Sequence, residues 1–78
     1  LNRAAAIAEA GDPEAALELV DRLELDRYHY LHATRAELLR RLDRTEESIA
    51  AYGRALELVH SDAERRFLER RLASLRAR

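Results

Sequence analysis

The chain has no cysteine and no lysine, one proline, and two glycines among its 78 residues. The absence of cysteine excludes disulfides, thiolate metal sites and a cysteine nucleophile. Two glycines and one proline are too few for an all-β domain built on many tight turns. With 37% charged and 47% hydrophobic residues, the composition excludes both a disordered chain and a membrane span. The chain is therefore one small domain, or a piece of a longer protein, with an economical and mostly local core.

The charge is nearly balanced overall but unevenly distributed along the chain. The formal net charge is -1, whereas a free-standing nucleic-acid binder is usually clearly basic. Residues 1–26 hold two arginines and seven acids, and residues 61–78 hold six arginines and three acids. We expect the acidic start and the basic end to attract each other within the fold or to face partners. All basic residues other than histidine are arginine, and we attribute this to a GC-rich coding sequence.

Helix-forming residues dominate, and apolar residues recur at spacings of three and four. The predicted helices lie at about residues 2–10, 13–25, 28–42, 46–59 and 62–75. Their predicted caps are Asp12, Asp26, Thr45 and Ser61, the last in a capping box with Glu64. Because the connections are short, adjacent helices become antiparallel neighbours. The fold class is therefore all-α, with five helices stacked as antiparallel hairpins.

An internal repeat is visible when the chain is compared with itself. Residues 11–17 align with residues 43–49, so Val20 matches Tyr52. A period near 34 residues with two helices per unit is typical of tetratricopeptide-like arrays. We predict a single right-handed array with a partial first repeat (1–27), a second repeat (28–60) and a capping helix (61–78). Asp43 stands where such repeats usually have glycine.

Two units are fewer than the three that a stable array normally needs. The chain also begins at Leu1, without methionine, inside an alanine-rich helical pattern. We therefore expect a fragment of a longer protein, whose preceding residues complete the stack. A homodimer through the exposed repeat ends is the alternative.

Two sequence blocks carry a resemblance to a known family. Residues 28–42 read YHYLHATRAELLRRL, and residues 62–72 read DAERRFLERRL. In this order and at this spacing they resemble the C-terminal extension of one group of extracytoplasmic-function RNA polymerase sigma factors. The resemblance extends from about Ala5 to Leu75 and departs from the family pattern at Asp43 and Ser61.

The resemblance implies a bacterial, cytoplasmic parent with promoter-reading and polymerase-binding domains upstream of Leu1. This chain would be a tetratricopeptide-like, protein-interaction module that influences transcription initiation. Its partners would be the upstream sigma domains, RNA polymerase indirectly, or an unknown peptide. Direct nucleic-acid contact through the last helix and a purely structural oligomerisation repeat are the alternatives.

No constellation for catalysis is present, because the chain has neither a glycine-rich phosphate loop nor a nucleophile elbow. We therefore expect no enzyme activity and no cofactor. His29 and His32 are three residues apart and could form the edge of a metal site, but two ligands are too few. We expect them to serve in packing or at the surface, and we predict no metal site.

The sequence nominates two sets of residues for contacts. In tetratricopeptide-like pairs the first helix of each unit lines a concave groove, which would place Tyr30, Ala33, Glu37, Arg40 and Arg41 there. Peptide capture on that face and simple solvation both remain open. In the last helix, Arg66 and Arg70 are expected to point outward, and contact with protein is favoured over DNA because Glu64 and Glu69 interrupt the arginines.

Arg35 is a charge inside an apolar stripe, four residues from both Leu31 and Leu39. A buried guanidinium without a partner is very unfavourable, so it must reach water or meet a carboxylate. We favour an internal ion pair that fixes helix packing. The alternative is an anchor for an acidic group of a partner.

Overall fold

The computed structural model describes all 78 residues and contains five α-helices and no strands. The helices are α1 (Asn2–Glu9), α2 (Pro13–Asp21), α3 (His29–Arg41), α4 (Thr45–Leu58) and α5 (Asp62–Arg76). Each helix packs mainly on the helices next to it in sequence. The predictions of an all-α chain and of five helices packed as adjacent pairs are confirmed.

The helices form two layers, in which α1, α3 and α5 line one face and α2 and α4 pack behind them. The shortest dimension of the Cα trace is 17 Å, which suits two layers because helix axes pack about 8–10 Å apart. Alternation between the layers follows from the short connections, each of which reverses the chain. Three helices therefore contribute side chains to a single shared surface.

The core consists of sixteen buried apolar residues, most of them alanines and leucines. Its members are Ala4, Ala8, Ala16, Leu17, Val20, Leu31, Ala36, Leu38, Leu39, Ala51, Tyr52, Ala55, Val59, Leu68, Leu72 and Leu75. Ser48 is the only buried polar residue. Its hydroxyl donates a 2.7 Å hydrogen bond to the backbone carbonyl of Ala36, so the α3–α4 contact contains no unpaired hydroxyl.

The turns after α1 and α3 have the same backbone geometry. Gly11 has φ 95° and Asp43 has φ 59°, the left-handed conformation that commonly ends a helix. The amide of the following residue, Asp12 or Arg44, donates to the carbonyl five residues earlier. These are paired Schellman turns, 32 positions apart in the sequence. The position where glycine was expected therefore requires the left-handed backbone, and aspartate adopts it.

Two of the four predicted caps are confirmed. The Asp12 carboxylate accepts from the Ala15 amide at 3.0 Å, with Pro13 in the first turn. The Ser61 hydroxyl accepts from the Glu64 amide at 3.3 Å. The capping box is incomplete, however, because the Glu64 carboxylate contacts α3 and does not reach back to Ser61.

The other two cap predictions are wrong, and α2 ends earlier than predicted. Tyr28 and Arg44 hold the N-cap positions of α3 and α4, and neither side chain makes a capping hydrogen bond. Thr45 is already helical. The helix α2 ends at Asp21, not near Leu25. Acids at positions 24 and 26 oppose its extension, because the C-terminal end of a helix disfavours negative charge.

None of the five helices combines the length and the apolar character that crossing a lipid bilayer requires.

Candidate protein-binding groove

A groove of about 390 Å³ lies between α1, α3 and α5 on the three-helix face. Its lining combines small or apolar side chains with a few charged ones: Ala5, Ala8, Glu9, Ala33, Thr34, Glu37, Leu38, Arg41, Tyr52, Phe67 and Arg71. The alanines and the threonine of this lining are small, and they leave space that larger side chains would fill. The shape is that of a binding cleft, since ligand sites are concave and mostly apolar with a few placed polar groups.

Glu37 organises the charges at the α1 side of the groove. Its carboxylate accepts from Arg40 Nε at 2.8 Å and Nη2 at 2.6 Å, and from Arg41 Nε at 3.0 Å. The Arg41 guanidinium also lies 3.6 Å from Glu9 of α1, and the Tyr52 hydroxyl of α4 donates to Glu37 at 3.4 Å. The Glu37 carboxylate thus connects α3 to α4, Arg41 connects α3 to α1, and the two arginines leave Glu37 fully paired.

The surroundings of Glu37 shift two acid–base equilibria. Partial burial disfavours the charged carboxylate, but the hydrogen bonds from Arg40 and Arg41 outweigh it and lower the pKa of Glu37. Burial, followed by the negative charge of Glu37, raises the pKa of the Tyr52 hydroxyl. At neutral pH the pair therefore consists of an ionised glutamate and a neutral tyrosine.

Phe67 and Arg71 form the α5 side of the groove. The Phe67 ring is 47% exposed, more than any other large apolar side chain of the chain. The Arg71 guanidinium stands over this ring, 5.4 Å from its centroid, at cation–π distance. No ion pair of the structure includes Arg71. The groove therefore presents an exposed ring next to an arginine without a carboxylate partner.

The first turn of α3 contacts the first turn of α5. The Tyr30 hydroxyl donates to Glu64 Oε1, and this hydrogen bond with the nearby negative charge raises the pKa of Tyr30. His29 Nε2 lies 2.8 Å from Glu64 Oε2, but its geometry is not that of a directed hydrogen bond. The contact is a close approach of the imidazole to the carboxylate that joins the two helix ends.

Among the predicted groove residues, Ala33, Glu37 and Arg41 line the groove. Arg40 lies beside it and is engaged with Glu37 in a two-point contact. Tyr30 lies outside the lining and connects α3 to α5 through Glu64. The middle and the C-terminal half of α3 therefore line the groove, whereas Tyr30 lies at the N-terminal end of that helix.

Arg35 reaches α2. Its Nε lies 2.8 Å from Asp21 Oδ1, and the two side chains are 31% and 47% exposed. The guanidinium therefore has a carboxylate within the fold and is not buried. That this pair fixes the packing of α2 on α3 stays a prediction.

Arg66 and Arg70 are exposed on α5, and neither lines the groove. Arg65 differs from them because its Nη2 donates to the Val59 carbonyl at 3.2 Å, which ties α5 to the end of α4. The arginines of α5 are consequently divided among a structural contact, the groove and the solvent.

The two candidate metal-edge histidines make separate contacts. His29 faces Glu64 of α5, whereas His32 Nε2 contacts the Asp26 carbonyl at 2.7 Å in the α2–α3 connection. No group of three or more histidine, aspartate or glutamate side chains is placed to hold a metal ion.

Sequence reasoning missed most of the α1 and α5 contributions to the groove. Phe67 lies beside the buried stripe of α5, and its side chain is exposed. The signal that could have placed it is the i, i+4 spacing of Phe67 and Arg71, on a face next to the Leu68, Leu72 and Leu75 stripe. The signal in α1 is a run of alanines at residues 4–6 and Ala8, of which Ala5 and Ala8 line the groove.

Comparison with known proteins finds a protein that is similar to this chain. An uncharacterized protein of Rhizobium meliloti (strain 1021) is 38% identical over 79 residues, in an alignment that spans 99% of this chain. The same alignment spans 19% of the relative, so the chain corresponds to about a fifth of that protein's length. No protein-family model matches the chain. No solved structure matches it either.

Proposed function

We propose that this chain is a protein-interaction module that acts through the groove between α1, α3 and α5. The observation that carries the proposal is an open, largely apolar cleft containing an exposed phenylalanine and an arginine without a carboxylate partner. Aromatic and arginine side chains dominate the energetics of protein–protein contacts. Covering the Phe67 ring with a partner would remove apolar surface from water, which is favourable.

The biological setting that we propose is the C-terminal extension of a bacterial, cytoplasmic sigma factor. The support is the resemblance of residues 28–42 and 62–72 to that extension, together with the all-α fold. The relative is about five times longer than the aligned segment, which agrees with a module carried within a larger protein. In this setting the module influences transcription initiation through contacts with its own sigma domains or with a protein partner.

The test begins with the coding sequence that precedes Leu1 in the parent protein. Where it encodes sigma domains, those domains and this chain are expressed separately and titrated against each other by calorimetry. We expect saturable binding, and we expect run-off transcription by the full-length protein to differ from that of a version without residues 1–78. An unrelated upstream domain, or transcription that is identical in both versions, would contradict the sigma-factor proposal.

A second candidate is direct nucleic-acid contact, which is favoured by the exposure of Arg66 and Arg70 on α5. Glu69 lies between them in sequence, and the overall charge of -1 opposes general attraction to phosphates. A titration of short duplex DNA at low and moderate salt separates the candidates. Affinity that falls steeply with salt and is lost in Arg66→Gln and Arg70→Gln variants would favour the nucleic-acid candidate over the first.

A purely structural oligomerisation repeat is the third candidate, and the opposite charges of the first 26 and last 18 residues are the feature that favours it. Sedimentation over a range of protein concentrations tests it. A stable dimer would support this candidate, whereas a monomer at tens of micromolar would remove it.

A further inference from the structure

We propose that the groove recognises a protein segment in which a carboxylate side chain lies next to an apolar one. The apolar side chain would pack on Phe67 and the carboxylate would pair with Arg71. This inference rests on the proposed interaction function and names the chemistry of the segment that the groove takes. It requires no other component than a stretch of polypeptide with this pattern.

The charge arrangement of the groove selects the acidic segment. Glu37 is neutralised by Arg40 and Arg41, so it offers no free negative charge to a basic ligand. Glu9 lies at the rim, where its carboxylate side chain is 77% exposed and screened by water. Arg71 is the one lining charge that has no partner within ion-pair distance. A carboxylate from outside is therefore the group that completes the site.

The sequence explains why Arg71 has no partner in its own helix. Pairs on a helix form between residues three or four apart, and those positions around Arg71 hold Phe67, Leu68, Ser74 and Leu75. By contrast, Arg40 has Glu37 three residues before it and Arg44 has Glu47 three residues after it, and both form those pairs. The helix leaves Arg71 without an acid.

Phe67 holds the Arg71 guanidinium in place before any ligand arrives. Stacking over the ring at 5.4 Å restricts the long side chain. Because the Arg71 side chain is already restricted in the free protein, it loses less conformational entropy when a ligand binds. The ring and the guanidinium thus act as one recognition element, apolar on its open side and positively charged at its end.

The alanines determine how the segment approaches. Ala5 and Ala8 from α1 and Ala33 from α3 line the groove, and none of them projects beyond a methyl group. A polypeptide can therefore lie deep enough to reach both the ring and the guanidinium. A ligand that used only Phe67 would leave this space empty.

The experiment is a selection of twelve-residue peptides from a randomised library on the immobilised, folded chain, repeated on an Arg71→Gln variant. We expect wild-type selection to enrich peptides with Asp or Glu beside an apolar residue. Selection on Arg71→Gln should keep the apolar residue and lose the acid. Enrichment without acids, enrichment of basic peptides, or the absence of any enriched peptide would overturn the proposal.

The best selected peptide is then measured by fluorescence anisotropy. Loss of a charge-assisted hydrogen bond predicts about tenfold weaker binding for Arg71→Gln, and we expect a similar loss for Phe67→Ala. The matched control is Arg76→Gln, which removes the same charge from the last turn of α5, outside the groove, and should change affinity less than about twofold. Circular dichroism verifies that each variant is folded. Equal weakening by both arginine variants would overturn the proposal as a general charge effect.

A charge exchange separates this inference from the proposed function. A selected peptide with its acid replaced by lysine should bind Arg71→Glu more tightly than it binds the wild type. If it does not, the assigned ligand chemistry is wrong, whatever the outcome of titration against the sigma domains. If the exchange succeeds and the sigma domains do not bind, the groove chemistry stands and the sigma-factor setting is wrong.

Discussion

Gly11 and Asp43 occupy the same position in two equivalent turns, and both have the left-handed backbone that closes the preceding helix. They lie 32 residues apart, and each is followed by an amide that donates to the carbonyl five residues earlier. Glycine adopts this conformation without a steric penalty, whereas for a residue with a Cβ the conformation is unfavourable by roughly 1–2 kcal/mol. Both turns therefore require the same left-handed backbone, which is favourable for the glycine at position 11 and tolerated by the aspartate at position 43.

The first prediction is that Asp43→Gly stabilises the fold. Relief of the left-handed strain is partly offset by the greater freedom of glycine in the unfolded chain, so we expect a gain of about 0.5 kcal/mol. Removing an acid from the end of α3 acts in the same direction. Gly11→Ala should lower the free energy of unfolding by about 1 kcal/mol. Urea denaturation followed by circular dichroism measures both changes.

Two further variants at position 43 separate backbone strain from charge. Asp43→Asn keeps a side chain that tolerates the left-handed region and removes the charge, while Asp43→Ala has no such tolerance. The expected order of stability is glycine, then asparagine or aspartate, then alanine. An alanine variant as stable as the glycine variant would show that strain at this turn does not limit stability.

The second prediction concerns the buried hydroxyl of Ser48, which donates at 2.7 Å to the Ala36 carbonyl. Ser48→Ala removes one buried hydrogen bond and should destabilise the fold by about 1 kcal/mol. Ser48→Val should destabilise it by about 1–3 kcal/mol, because a larger side chain is forced into a fully packed contact. Thermal and urea unfolding provide the measurement. Equal stability of all three proteins would mean that α3 and α4 are not in close contact at this position.

The helices themselves could be predicted because their signals are local. Alanine-rich and leucine-rich periodicity, Asp12 before Pro13, and Ser61 at the start of α5 each act within one or two turns of chain. The 32-residue offset between the two turns was also visible in the sequence, where it aligns Val20 with Tyr52, and both of these residues are buried in the structure.

What could not be predicted depends on contacts between distant residues. Glu64 had the spacing to complete a capping box with Ser61, but α3 brings Tyr30 and His29 to its carboxylate and that contact prevails. Asp26 had the chemistry of a cap, yet its carbonyl accepts a contact from His32 and α3 begins later. Phe67 has the apolar character of a core residue, and only the geometry of three helices places it in an open groove.

The third prediction is a modest coupling between Arg35 and Asp21. They join α3 to α2 across 14 residues of sequence, but both side chains are partly exposed. Solvent therefore weakens the pair, and a double-mutant cycle with Arg35→Ala and Asp21→Ala should give about 0.5 kcal/mol. The coupling should decrease in 1 M salt. Denaturant unfolding of the four proteins supplies the cycle.

The control for this cycle is the Arg54–Glu57 pair, which lies within α4 and joins no two helices. It should couple less than Arg35 with Asp21. If Arg35→Ala leaves stability unchanged and weakens only the binding of a partner, Arg35 is a binding residue and its role in packing is refuted.

The last prediction is a loss of stability at acid pH that depends on Glu37. Hydrogen bonds from Arg40 and Arg41 outweigh burial and lower the pKa of Glu37 in the folded chain. Its carboxylate therefore stabilises the fold above the unfolded pKa, which is about 4.3. This contribution declines as the pH falls through the lower, folded pKa. We expect Glu37→Gln to be less stable than the wild type at pH 7, with the difference narrowing below about pH 4.

The control is Glu57→Gln, which alters an exposed pair in α4, and its free energy of unfolding should stay closer to that of the wild type across this pH range. A stability difference for Glu37→Gln that stays constant from pH 7 to pH 3 would show that the carboxylate charge is not what stabilises this contact between α3 and α4.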